Sequence, residues 1–182
     1  MKLTEIGKDL LLTECNNFDP FVSCECGQCF RFDQLSEDCY AIYACGRMLK
    51  IMRAEQGWLF CDIGKEEFTS LFLPYFDLER DYAQIIEAFS YDKSLYRAAN
   101  LGSGIRIFRQ DGWETLISFI ISANNNIPRI KKIIDSLCRL YGKEENGYYS
   151  FPTPKVFGKY AGIAQQYLFY YERNISSKEE NE

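Results

Sequence analysis

The spacing of hydrophobic residues changes near residue 64 of this chain. Before that point, short apolar runs alternate with polar residues and are separated by turns that contain glycine, a pattern typical of β-strands. After it, apolar residues recur every three or four positions, as they do on one face of an α-helix. Strands followed by helices predict an α+β fold, with an N-terminal antiparallel sheet and packed helices.

The predicted sheet is a small antiparallel meander. Its strands are expected within residues 1–18, within residues 21–32, where a turn at Gly27 leads into a strand through Phe30 and Phe32, and at Cys39–Ala44, Arg47–Arg53 and Trp58–Cys61. Helices are expected through Phe68–Tyr75 and Tyr82–Phe89, and from Asp92 to Gly102. We divide the chain into an N-terminal domain (1–95), a helical domain (96–156) and a divergent tail (157–182), in which the end from Ser176 is expected to be disordered.

Two further helices are predicted between residues 105 and 141. Asp111 begins the first, because its carboxylate can cap the N–H of Glu114. Its apolar stripe consists of Trp113, Leu116, Ile117, Ile120 and Ile121. The stripe of the second helix consists of Ile130, Ile133, Ile134, Leu137, Cys138 and Tyr141, and Gly142 follows as a left-handed cap.

The joint between these helices, Asn124 to Arg129, admits two interpretations. Pro128 breaks the helix at this point. Arg129 and the lysines after it then lie at a helix start, where the macrodipole disfavours cations but free N–H groups attract anions such as phosphate. The basic residues therefore indicate an anionic partner. Alternatively, the asparagines satisfy the backbone of the turn and the cations form a solvated face.

Composition limits the chemistry of the protein. The formal net charge is −5, so nucleic acid would have to be bound by a local basic patch, for which the central stretch offers Arg106, Arg109, Arg129, Lys131, Lys132 and Arg139. The chain has no histidine, which excludes Ser-His or Cys-His catalysis and histidine metal sites. The charged opening and the lack of an apolar run of about 20 residues predict a cytoplasmic protein that does not enter membranes. Its eight cysteines are expected to be reduced thiols.

Cys24, Cys26 and Cys29 have a spacing that could hold zinc or an iron-sulfur cluster. A fourth ligand is missing from the sequence around them, and structural zinc sites close with a second pair or with histidine. We therefore interpret them as thiols beside a turn and predict no metal and no cofactor.

Several motifs together resemble the 8-oxoguanine DNA glycosylase family. These are Gly27-Gln28-Cys29-Phe30-Arg31, Tyr75-Phe76-Asp77-Leu78, the stretch from Gly104 to Ile130 and Phe151-Pro152. The resemblance implies an antiparallel, TATA-binding-protein-like sheet domain with packed helices, followed by the start of an α-helical glycosylase domain. It also implies a bacterial-type, nucleoid-associated repair protein that flips oxidised guanine out of duplex DNA and cleaves its glycosidic bond.

The resemblance implies roles for individual residues. The Gly27 carbonyl would accept a hydrogen bond from the N7 hydrogen that 8-oxoguanine has and guanine lacks, with Gln28 and Phe30 in the same base-binding turn. Asn124 would fill the space left by the flipped base and, with Arg129, bond the cytosine opposite. Asn126 would lie near the DNA backbone. The implied partner is double-stranded DNA containing 8-oxoguanine opposite cytosine.

The chain departs from the family pattern after Pro154. A helix-hairpin-helix carrying the nucleophilic lysine and its assisting aspartate is not recognisable there, since Lys155 and Lys159 come too early and Lys178 lacks the hairpin. We therefore predict no catalytic residue and expect the N-terminal half of a truncated or split enzyme, with a separately encoded C-terminal half as a further partner. A non-catalytic module that binds damaged DNA and a thiol metal module are the alternatives.

Overall fold

The computed structural model describes residues 1–160 together with 162, 163, 166, 167 and 170. These residues belong to two compact units, Met1–Gln110 and Asp111–Glu182, which we describe separately. The domain boundaries placed from the sequence after residues 95 and 156 stay predictions, and the predicted disorder from Ser176 concerns residues outside the described ones.

The first unit contains a six-stranded antiparallel sheet, which confirms the predicted α+β fold. Its strands are β1 (Lys2–Ile6), β2 (Asp9–Thr13), β3 (Phe32–Ser36), β4 (Cys39–Ala44), β5 (Arg47–Ala54) and β6 (Gly57–Phe60), in the order β1-β2-β6-β5-β4-β3. The three strands from Cys39 onward are the predicted ones. Residues 1–18 form a hairpin of two strands, because the left-handed Gly7 allows a tight turn between β1 and β2.

The register of the sheet places the apolar residues of successive strands side by side on one face. Leu10 lies opposite Phe60, Phe60 opposite Ile51, and Ile51 opposite Tyr40. All four side chains are buried. A shift by one residue in any of these strands would turn its apolar set to solvent, so burial of this face fixes the register.

Residues 20–25 form helix α1 (Pro20–Glu25), where a turn leading into a strand was predicted. The predicted turn at Gly27 is present, but the helix before it was not predicted, although its start has a local signal. The Asp19 carboxylate accepts hydrogen bonds from the N–H groups of Phe21 and Val22, and Pro20 occupies the first turn, where no N–H is needed. The strand begins only at Phe32.

A helical segment covers the sheet. It consists of α2 (Lys65–Glu67), a π-helical turn (Phe68–Phe72) and α3 (Leu73–Tyr75). Phe68, Phe72 and the following Phe76 are fully buried, and the Phe68 ring lies 4.5 Å from that of Phe60 on β6, so aromatic packing joins this segment to the sheet.

Two more helices follow in the first unit: α4 (Tyr82–Ala88), a short 3-10 turn (Phe89–Tyr91) and α5 (Lys93–Leu101). The Asp92 carboxylate caps α5 and Gly102 ends it, as predicted. Within Tyr82–Leu101, all of which the structure describes, no residue is buried.

The second unit is built on α6 (Gly112–Ser122) and α7 (Ile127–Tyr141). Asp111 caps α6 by accepting from the Glu114 N–H at 2.9 Å, as predicted. The predicted stripe of α7 is buried from Ile130 to Cys138. The unit continues with β7 (Glu144–Glu145), β8 (Tyr148–Tyr149), α8 (Pro154–Phe157) and a 3-10 turn (Gly158–Tyr160).

Two details after α7 differ from the prediction. Gly142 has φ −80°, so it is not a left-handed cap. Glycine is still needed there, because a Cβ would lie 2.0 Å from the carbonyl oxygen of Ser150 and 2.4 Å from that of Cys138. No strand was predicted after α7, but the chain forms a small hairpin of β7 and β8, in which Asn146 and Gly147 both adopt the positive φ that a tight turn requires.

Helix α6 leaves part of its apolar surface in contact with solvent. Ile117 and Ile121 of the predicted stripe are buried, but Leu116 and Ile120 are exposed. Together with Phe119 and with Ala123 at the end of the helix, these two residues form what we call the outer stripe, with the spacing i, i+3, i+4, i+7. Among the described helices, none is long and apolar enough to cross a membrane.

Candidate functional site

The turn after α1 is built around Gly27. Its φ of +87° is a conformation that residues with a side chain rarely adopt, although a Cβ there would meet nothing within 4 Å. Glycine is therefore required by the backbone and not by lack of space. None of the hydrogen bonds among the described residues ends on the Gly27 carbonyl oxygen.

Both polar groups of the Gln28 side chain make hydrogen bonds within the first unit. Its Nε2 donates to the carbonyl oxygens of Ser23 at 2.9 Å and Arg106 at 2.8 Å, and its Oε1 accepts from the Phe108 N–H at 2.8 Å. Its own carbonyl accepts from Nε2 of Gln110 at 2.7 Å. Gln28 thus joins the Gly27 turn to the segment 104–110, far away in sequence.

Phe30, the third predicted base-binding residue, is buried, whereas Gly27 and Gln28 are partly exposed. The sequence grouped these three residues by resemblance alone. The structure places Gly27 and Gln28 in one accessible turn, and Phe30 below the surface of the same unit.

Gly104 allows the segment 104–110 to approach α1. It has φ +96°, and a Cβ would lie 2.7 Å from that of Asp19. Its carbonyl accepts from the Asp19 N–H at 2.8 Å, and the buried Ser23 hydroxyl accepts from the Arg106 N–H at 3.0 Å. Ser23 was missed in the sequence, because a serine inside an apolar run has no recognisable signal of such a contact.

Arg106 does not belong to a basic surface patch, which corrects the prediction. Its side chain is buried, and its guanidinium donates to the carbonyl oxygens of Asn16, Asn17, Asp77 and Arg80. It also lies 4.4 Å from the centre of the Tyr82 ring. A buried cation is tolerated only when its donors are satisfied, so Arg106 has a structural role in joining these segments.

Arg109 is exposed, but its guanidinium forms an ion pair with the buried carboxylate of Asp77. Its Nη2 lies 2.8 Å from the carboxylate of Asp77, which Arg80 contacts at 2.6 Å and the Tyr82 hydroxyl at 3.2 Å. Burial acts to raise the pKa of the Asp77 carboxyl, but the hydrogen bonds from Arg80 and Arg109 outweigh it, so that pKa lies below its usual value. The sequence had grouped Asp77 with a family motif without giving it a role.

The remaining predicted basic residues lie on α7. Arg139, near its C-terminal end, pairs with Asp135 at 2.7 Å, one turn earlier. Arg129 and Lys131 are partly exposed and Lys132 is exposed, and all three lie in the first two turns of the helix. The predicted patch is therefore reduced to the start of α7.

The asparagines before α7 have different structural roles. Asn125 donates to the Ile121 carbonyl at 2.8 Å, and the side-chain oxygen of Asn126 accepts from the Arg129 N–H at 3.0 Å, which caps the helix. Asn124 is exposed and left-handed, with φ +58°. The side chains of Asn125 and Asn126 are therefore used to bond backbone groups of the turn, whereas the Asn124 side chain lies on the surface.

The thiols near the Gly27 turn do not converge. Cys24 and Cys29 are buried, whereas Cys26 is exposed and donates to the Ser23 carbonyl at 3.2 Å. In the part of the chain that the structure describes, no group of three or more cysteine, aspartate, glutamate or histidine residues could hold a metal ion. The geometry does not support the thiol metal module.

Comparison with known proteins is consistent with these features. A family described as "8-oxoguanine DNA glycosylase, N-terminal domain" matches residues 10–116. The N-glycosylase/DNA lyase of Saccharomyces cerevisiae is 53% identical over 55 residues, which are 28% of this chain and 15% of that protein. The probable N-glycosylase/DNA lyase of Methanothermobacter thermautotrophicus is 32% identical over 106 residues, which are 56% of this chain and 31% of that protein.

A solved structure resembles almost the whole chain. The 8-oxoguanine glycosylase/lyase of Clostridium acetobutylicum, in complex with double-stranded DNA containing cytosine opposite 8-oxoguanine, superposes with a TM-score of 0.82 at 34% identity. The similarity covers 98% of this chain and 66% of that one. The chain thus spans about two thirds of the length of this solved relative, and its matches span less than a third of the two curated ones.

Proposed function

Because the chain belongs to the 8-oxoguanine DNA glycosylase family through its N-terminal domain, we propose that it recognises 8-oxoguanine in duplex DNA and acts in base-excision repair. The observation that carries this proposal is the Gly27 turn, where a left-handed glycine presents a carbonyl that the described residues leave without a hydrogen bond. Guanine has an acceptor at N7, whereas 8-oxoguanine has a donor there, so a backbone carbonyl can tell the two bases apart.

The start of α7 is the proposed contact with the opposite strand. Asn124, exposed and left-handed, would occupy the space of the flipped base and bond the cytosine that loses its partner. Arg129 would read the same cytosine. Asn126, at the helix start, would lie near a phosphate, where free N–H groups favour an anion.

The proposed chemistry is cleavage of the glycosidic bond followed by lyase cleavage of the sugar-phosphate backbone, as the names of the relatives indicate. We assign the nucleophilic lysine to no residue of this chain. We propose that the protein acts in the cytoplasm, associated with the nucleoid, because chromosomal DNA is its proposed substrate.

We further propose that the outer stripe of α6 packs against a C-terminal catalytic part, with a separately encoded half as a candidate for it. The outer stripe of α6 supports this, because Leu116 and Phe119 are both more than half exposed, and a helix seldom presents such a stripe to water without a partner. The alternative is a module that binds damaged DNA without cutting it, which retains Gly27, Asn124 and Arg129 and needs no such partner.

Binding to matched duplexes tests the proposed recognition. The chain is expected to prefer a duplex with 8-oxoguanine opposite cytosine over the same duplex with guanine. In Gly27→Ala, a left-handed alanine costs about 1–2 kcal/mol, so the turn should shift and the preference should fall about fivefold or more. Fluorescence anisotropy titrations with the two duplexes give the ratio of affinities.

Gly46→Ala is the matched control. Gly46 has φ +74° and, like Gly27, open space around its Cβ position, but it lies in the turn between β4 and β5. Its substitution brings the same kind of strain and should leave the preference unchanged. Equal affinity of the unmodified chain for both duplexes would refute the proposed recognition.

A further inference from the structure

Both N–H groups of the Gln28 carboxamide are already used within the protein. Its two N–H groups point to the carbonyl oxygens of Ser23 and Arg106, and its oxygen accepts from the Phe108 N–H. The amide orientation is fixed by this pattern, since a flipped amide would place its oxygen against two carbonyl oxygens. A base in the turn would find both amide donors already in use and the amide oxygen already bonded to the Phe108 N–H.

We infer that Gln28 is a positioning residue, which orients the Gly27 carbonyl and does not itself contact the base. The inference rests on the proposed function of the turn. The carbonyl in question belongs to the peptide group between Gly27 and Gln28, so whatever holds Gln28 also holds the plane of that group.

The need for such an anchor follows from the glycine. A glycine at positive φ has more conformational freedom than other residues, and nothing lies within 4 Å of its Cβ position to restrict it. The carbonyl can discriminate between a donor and an acceptor only if its direction is set before the base arrives. The hydrogen bonds of the Gln28 side chain set this direction. The bond from Gln110 to the Gln28 carbonyl adds to it.

The two residues that accept hydrogen bonds from the Gln28 side chain, Ser23 and Arg106, are themselves held in place. Ser23 is fully buried and bonds both ends of the contact, because its hydroxyl accepts from the Arg106 N–H while its carbonyl accepts from Gln28. Arg106 is held in turn by four main-chain carbonyls. Gln28 therefore links Gly27, whose backbone has high conformational freedom, to a part of the first unit that many hydrogen bonds hold in place.

Gln28→Glu tests the inference with almost no change in shape. A carboxylate oxygen would replace Nε2 and face the carbonyls of Ser23 and Arg106, so the anchor should become repulsive. We expect the affinity ratio of the 8-oxoguanine duplex to the guanine duplex to fall about tenfold. The ratio removes the effect of the added charge, which weakens binding to both duplexes alike.

Two further variants separate positioning from folding. Gln110→Ala removes only the bond to the Gln28 carbonyl and should lower the same ratio by a smaller factor while thermal unfolding stays cooperative. Gln34→Glu makes the identical chemical change at an exposed position of β3 and should leave the ratio unchanged.

The outcomes are distinct. An unmodified chain without preference overturns the proposed function, and the inference with it. A preference that survives in Gln28→Glu and Gln110→Ala overturns the inference alone. An equal loss of affinity for both duplexes in Gln110→Ala, with the ratio intact, would show that the contact serves only the fold and would also overturn it.

Discussion

Two buried charged side chains of the first unit, Arg106 and Asp77, have partners of different kinds. Arg106 donates to main-chain carbonyls, whereas Asp77 accepts from the side chains of Arg80, Arg109 and Tyr82. A buried charge stabilises a fold only if its hydrogen bonds are complete, and removal of one partner leaves an uncompensated group. The two residues also meet each other, since Arg106 donates to the Asp77 carbonyl at 2.6 Å.

Asp77→Asn should reveal the contribution of this carboxylate. Asparagine tolerates the left-handed conformation of Asp77, φ +51°, so the backbone is kept while charge-assisted hydrogen bonds are lost. We expect the free energy of unfolding at pH 7 to fall by about 1.5–3 kcal/mol, measured by urea unfolding. Asp38→Asn, at an exposed ion pair with Arg53, should change it by less than about 1 kcal/mol.

The loss of stability in Asp77→Asn should depend on pH, because the pKa of Asp77 is lowered in the folded chain. Its contribution is fully present above the unfolded pKa of about 3.9 and is lost as the pH falls through the lower folded pKa. The difference between the unmodified chain and Asp77→Asn should therefore shrink as the pH falls below about 4. A difference that stays constant down to the acid transition would contradict this account.

At the scale of elements, helix α7 combines an asparagine cap with cations in its first turns. Asn126 satisfies the Arg129 N–H, and the positive end of the helix dipole then meets Arg129, Lys131 and Lys132. The dipole disfavours each exposed cation at this end by roughly 0.3–1 kcal/mol, and an anion bound at the helix start would offset that cost. Arg139, at the opposite end, has the orientation that the dipole favours and pairs with Asp135.

Arg129→Ala should therefore weaken DNA binding, and Arg139→Ala should not. Both variants remove one positive charge from α7, at opposite ends of the helix, and Arg139→Ala also removes the ion pair with Asp135. If Arg129 contacts DNA through a phosphate as well as a base, its loss should also reduce the slope of log affinity against log salt by about one. Titrations at several salt concentrations measure both quantities, and equal effects of the two variants would exclude a specific contact at the helix start.

At the scale of the whole molecule, what the sequence could predict depends on how far apart the interacting residues lie. The caps at Asp92 and Asp111 and the strands from Cys39 to Phe60 were predictable, because each depends on neighbouring residues. Helix α1 had an equally local signal, Asp19-Pro20, that was overlooked. The bonds from Gln28 to Arg106 and Phe108 join residues separated by 78 and 80 positions, and no local pattern indicates them.

The same distinction explains why Arg106 was wrongly predicted to belong to a basic surface patch. An arginine is usually a surface residue, and nothing near Arg106 in sequence reveals that Asn16, Asn17 and Asp77 would surround it. The roles of Gly27, Asn124 and Arg129 came from resemblance and not from spacing. For these residues the structure adds conformation and exposure, which make the proposed contacts physically reasonable.

The outer stripe of α6 leads to the last prediction, which concerns assembly. Leu116 and Phe119 are each about half exposed, so burial of the remainder against a partner would contribute about 1 kcal/mol from each. A polypeptide with the C-terminal part of a solved relative, mixed with this chain and a duplex containing 8-oxoguanine, should give a covalent adduct after borohydride treatment. The double variant Leu116→Glu/Phe119→Glu should lower its yield about tenfold or more under subsaturating conditions, because charges would replace the apolar contact.

The control for assembly is Ile6→Glu/Leu35→Glu, which places the same charges on exposed apolar residues of the first unit. It should leave the yield of adduct unchanged, which would locate the contact on α6. An adduct formed by this chain without any addition would contradict the assignment of the nucleophile to no residue of this chain. Equal losses in the two double variants would instead indicate a general effect of added negative charge on DNA binding, and would remove the outer stripe as the site of assembly.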